Sequence, residues 1–303
     1  MKSENDALHG FIYGMSEEFD VWHDKEDVDS PLLLVMMAFK SNLRSALMVG
    51  NVPYQMAHQS VVQERFGRLL IAETIRSGQK EATPEIRSKV RTKLANEIAD
   101  PESFSIFVDK IIGVLNDHLD DGDFASSSRE LLRQVLVMVW GAFEILANDL
   151  LRTTINEHPS LIDAFAEVKQ FRDVITSRVL LEALRSQGYT LSRSMGNVFC
   201  EQVKLDSLEK IREAVRVAFG DPNVDKLLKD ERLWLIAQQR HLIVHRRGKV
   251  DSQFLAKTPG DAKLGDHIVF TNDYITESIE LVRDVGTKLY VAALGVATSL
   301  SGS

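Results

Sequence analysis

The sequence predicts an all-α protein. Three observations carry that prediction: apolar residues recur at helical spacing from Pro31 to near the C-terminus, only 7 prolines and 17 glycines interrupt 303 residues, and the prolines stand where helices begin or loops run. A composition of 44% hydrophobic and 26% charged residues supports a sizeable core, spread over one large or two modest domains.

In chain order, residues 1–30 carry nine carboxylates against Lys2 and Lys25 and read as a solvated lead-in. The first helix is expected from Pro31 to about Leu47, ahead of Gly50, Asn51 and Pro53, and a second from about Gln55 to Ser77. Thr83-Pro84-Glu85 and Asp100-Pro101-Glu102 each put a capping side chain before a proline, which predicts helices near 84–98 and 101–119. Asp120-Asp121-Gly122-Asp123 has turn residues and no apolar anchor, so the chain divides there into a helical N-terminal region, 1–125, and a C-terminal bundle, 126–303.

Ser127 with Glu130 resembles a capping box opening a buried helix to Asn156. Further helices are expected over 160–187, interrupted near Lys169, and over 207–219, stopped by Gly220; residues 188–206 give no clear pattern. A helix starting at Val224 or Asp230 runs to Arg247, with Leu228, Leu235 and Leu242 seven apart and Gly248 placed to cap it. Lys249 to Thr271 reads as a short hairpin or an ordered loop. The last helix follows, from about Asn272 or Asp273 to Leu294, with Thr298–Ser303 as a fraying tail.

Several function classes are disfavoured. Cys200 is the single cysteine, which removes an internal disulfide and a thiolate zinc site and suggests a reducing compartment. MKSENDALHG is not a signal peptide, and the longest wholly apolar run, Leu32 to Phe39, is shorter than the ~20 residues a bilayer needs, so a cytoplasmic protein without membrane contact is expected. A net charge of −8 means that any nucleic-acid contact must be local. No Gly-rich phosphate loop, nucleophile elbow or Asp-x-Asp pair appears.

One segment stands out: Arg240-His241-Leu242-Ile243-Val244-His245, followed by Arg246-Arg247-Gly248. It resembles the motif of HEPN domains, in which an Arg, often followed by a polar residue, precedes a His by four to six residues. Trp140-Gly141-Ala142-Phe143-Glu144 resembles the acidic element on the first long helix of that family, and the resemblance covers roughly the last 175 residues. It implies a HEPN-like helical bundle, and a metal-independent endoribonuclease of toxin-antitoxin or antiviral defence type that leaves a 2′,3′-cyclic phosphate. It also implies a homodimer, with an antitoxin or defence protein as a further partner and no cofactor or metal. The catalytic candidates are Arg240, His245, His241 and Glu144; Arg246, Arg247 and Lys249 would bind RNA.

These residue types suit the chemistry on their own terms. An imidazole can move the proton of a 2′-hydroxyl, and an Arg fork can hold two phosphate oxygens. Arg240 and His245, however, lie about 140° apart on an ideal helix, which calls for a second copy to complete the site. Plainer roles compete with this reading. Arg240 can be a structural ion-pair residue, His245 a helix C-terminal charge, and Glu144 only a hydrogen-bond partner that orients Arg240. Trp140 and Phe143 read as core, and His241-x-x-x-His245 lacks the glutamate base of a zinc protease because Leu242 follows the first His. A non-catalytic module binding nucleic acid, a nucleotide or a protein partner is the alternative.

Overall fold

The computed structural model describes residues 30–117, 122–175, 194–258 and 262–301, together with Arg185, Gly188 and Gly260. The acidic lead-in, Asp120-Asp121, the central part of the 160–187 stretch, the Pro259 and Asp261 turn positions and the last two residues lie outside these. Among the described residues the protein is all-helical, with thirteen helices and no strand.

In order these are α1 (Pro31–Gly50), α2 (Val52–Arg76), α3 (Pro84–Ala99), α4 (Pro101–Asp117), α5 (Gly122–Glu157), α6 (Leu161–Ala166), α7 (Lys169–Ile175), α8 (Met195–Gln202), α9 (Leu208–Phe219), α10 (Pro222–Leu227), α11 (Glu231–Arg246), α12 (Ser252–Lys257) and α13 (Asn272–Ser301). Residue contacts gather them into two compact units, Met48–Leu132 with Val269–Asn272, and 30–47 with Arg133–Ile268 and 273–301. The expected boundary at 125/126 falls inside the continuous helix α5.

In the first unit α2, α3 and α4 share one core. Ile86, Val90 and Leu94, each four residues after the last, form the buried seam of α3 and meet Val61 and Leu69 of α2 and Phe107 and Ile111 of α4. The predicted starts hold: the Thr83 hydroxyl accepts from Ile86 N–H, and Asp100 Oδ2 accepts from Ser103 N–H at 2.9 Å ahead of Pro101.

In the second unit α1 buries Leu32, Met36, Phe39, Leu43 and Ala46, a 4-3-4-3 repeat that keeps one stripe inward. Gly286 of α13 lets that stripe approach. A Cβ there would stand 2.6 Å from the Phe39 ring and 2.8 Å from a Leu146 methyl of α5. By length and composition α1 and α5 could each cross a bilayer, contrary to the reading from the shorter apolar run. More than half of the α5 stretch is buried, as in a core helix, whereas α1 buries one stripe and leaves Leu34, Met37 and Met48 exposed.

Several boundaries differ from expectation. α5 begins at Gly122, so Ser127 and Glu130 sit within the helix and do not cap it; burial of Ala125, Ser128 and Leu132, at helical spacing, extends the helix upstream. Asp230 splits the expected 224–247 helix by capping α11 separately, its carboxylate accepting from Arg232 N–H at 2.8 Å. The hairpin or loop before the last helix is a loop containing α12, and α13 continues past Leu294 to Ser301.

Candidate functional site

The site is built where α5 and α11 meet. Leu233, Ile236, Gln239, Leu242 and Ile243 form the buried face of α11, which leaves Arg240 half-buried at its edge and His241, Val244 and His245 exposed. Arg240 Nη2 donates to Glu144 Oε2 at 3.2 Å, while its buried Nε has no partner. Glu144 also takes a hydrogen bond from the Trp140 side chain. Burial lifts the Glu144 carboxyl above its usual range, with that bond and the Arg240 charge pulling the other way. Trp140 itself is core, its ring 5.2 Å from that of Phe143.

His241 and His245 are one turn apart, with ring centroids 4.4 Å from each other. Burial holds the His241 imidazole below its ordinary value, and the neighbouring His245, Arg240 and Lys257 add to this against a smaller opposing effect of Asp251. His241 is therefore mostly neutral at neutral pH, the state that accepts a proton.

The C-terminus of α11 ends abruptly. Arg247 (φ 54°) and Gly248 (φ 75°) are both left-handed, and Gly248 N–H reaches back to Leu242 O at 3.2 Å. The following loop is tied at its two ends: Lys249 bridges His267, Ile268 N–H donates to Gly248 O at 2.9 Å, and Arg133 Nε donates to Ile268 O at 3.3 Å. Between them Val250 and Phe254 pack on Leu242, and Asp251 caps α12 through Phe254 N–H while pairing with Arg246 at 3.4 Å.

A pocket of about 510 Å³ opens between these elements, lined by Glu144, Asp206, Trp234, Arg240, His241 and Lys257 among others. Of the predicted residues, the fold brings together Glu144, Arg240 and His241, and places His245 against His241. Arg240 and His245 share no hydrogen bond, and His245 does not line the pocket that Arg240 and His241 share. Arg246 is drawn toward Asp251, whereas Arg247 and Lys249 are exposed beyond the helix end. Asp206, Asp251 and Lys257 were not legible as site residues. Asp251 gave one local signal, a capping Asp ahead of Ser-Gln-Phe.

No protein-family model, curated protein or solved structure matches the chain.

Proposed function

We propose that this is a HEPN-like, metal-independent endoribonuclease of the cytoplasm, with each chain supplying half of a two-fold site. The observation that carries the reading is the exposed His241-His245 pair beside an Arg240 oriented by Glu144. A neutral imidazole takes the 2′-hydroxyl proton, O2′ attacks phosphorus, and the P–O5′ bond breaks as a protonated imidazole supplies the leaving oxygen. Arg240 steadies the phosphate oxygens, drawing on donors that Glu144 leaves free. Two copies facing one another would also gather Arg246, Arg247 and Lys249 at the strand, in keeping with a toxin or defence protein held by a partner.

The test is incubation of the purified protein with RNA in EDTA. We expect cut ends carrying 2′,3′-cyclic phosphates, reduced at least ~100-fold in Arg240→Ala and in His245→Ala, as loss of a proton-transfer or phosphate-holding group implies. Cleavage that chelation abolishes, or that both variants retain in full, overturns the reading. The pairing of Arg240 with Glu144 also favours a second reading, a binding module in which the Arg is structural; this predicts RNA retention with no cut ends.

A further inference from the structure

Trp234, Gln238, His241 and His245 follow one another at spacings of four, three and four, so on an ideal helix they fall within about 60° and form one stripe about 16 Å long. The stripe changes chemistry along its length. At one end are the two imidazoles. At the other, Trp234 is half-buried, unlike the core residue Trp140, and both Trp234 and Gln238 line the pocket that Arg240 and His241 share. Neither side chain has a hydrogen bond or ring contact among the described residues.

From this arrangement we infer that the pocket seats an unpaired nucleobase of single-stranded RNA, stacked on Trp234 and hydrogen-bonded at its edge by the Gln238 amide. The placement rests on the reading of His241 and His245 as the phosphate end of the site. Trp234 and His241 are about 10 Å apart along the helix axis, a distance that neighbouring nucleotides of an extended strand can bridge. The charges assign the rest of the nucleotide. Arg240, Lys257 and the His241 imidazole line the pocket together with the carboxylates of Asp206, Glu209 and Asp251. The basic groups favour phosphate, whereas the carboxylates repel it and can accept from the N–H groups of a base. An aromatic face with adaptable amides is the usual means of holding an unstacked base, and a duplex cannot present one.

The experiment is equilibrium binding, by fluorescence anisotropy, of a labelled single-stranded RNA of about eight nucleotides, a length within the usual site size for a stacking groove. Its riboses are 2′-O-methylated so that it binds without being cut. Trp234→Ala is expected to weaken binding about 10-fold, the loss of one base stack, and Trp234→Phe to restore it to within about twofold of wild type. Gln238→Ala is expected to lose several-fold, and the matching RNA duplex to bind at least about 10-fold more weakly than the single strand. Equal affinities of wild type and Trp234→Ala, or a duplex that binds as tightly as the single strand, overturn the inference. The duplex comparison uses wild-type protein only, so it decides even if an alanine variant does not fold. Cleavage of unmodified RNA is scored in parallel. Wild type that cuts without a Trp234 effect on affinity refutes the base site alone; wild type that shows the Trp234 effect without cutting refutes the nuclease alone.

Discussion

At the scale of single residues, His241 has the environment with the clearest consequence. Its imidazole is held below the ordinary value, so on acidification through about pH 6.5 the unfolded chain takes up a proton that the folded protein resists. Stability is therefore lost as pH falls through that range, and the loss should vanish in His241→Gln. Thermal melts of the two proteins between about pH 8 and pH 5 should converge at the alkaline end and diverge in favour of the variant at the acid end. The motif was legible because Arg240 and the two His residues lie in one short stretch. Trp234 was missed although the signal was in the sequence, four residues before Gln238 and seven before His241. Asp206 had no such signal, because only folding brings it to the pocket.

Among the helices, close approaches decide more than propensities. Gly286 sits where α13 meets the Phe39 ring and a Leu146 methyl, both in the core. Gly286→Ala should cost about 1–3 kcal/mol by overpacking, despite the better helix propensity of alanine, measured as a lower denaturant midpoint with an unchanged m-value. Helix starts marked by Thr83-Pro84 and Asp100-Pro101 were readable because a capping side chain acts on the next three residues. The start of α5 was not. Its first turns are fixed by the burial of Ala125 and Ser128, a tertiary effect that overrides the local Ser127-Glu130 pattern. Between Lys249 and Thr271 the sequence left a hairpin and a loop both open, because a run as short as Gln253-Phe254-Leu255 fits a strand as well as one helical turn; the Asp251 cap settles it as α12.

For the molecule as a whole, two separate cores imply separable stability. Ile111 is fully buried in the core of α2, α3 and α4, and Ile111→Ala should cost about 2–5 kcal/mol there through the lost burial and the remaining cavity. Hydrogen exchange should show this loss at the amides of α2 to α4 and little change in α9 and α11. A uniform loss across both sets would mean that the two units unfold together. The all-helical class was legible from periodicity alone, whereas the assignment of α1 to the second unit depends on Phe39 meeting Gly286, a contact between residues nearly 250 apart.

The end of α11 carries a final consequence. Arg247 holds a left-handed backbone that costs an L-residue with a Cβ about 1–2 kcal/mol, and its side chain has no partner among the described residues to offset that cost. Asparagine tolerates the conformation better, so Arg247→Asn should melt at a higher temperature than the natural protein while binding RNA less tightly. A laboratory lineage selected only for heat tolerance would be expected to discard this arginine early. That pair of outcomes would mark Arg247 as a position where usefulness has outweighed robustness.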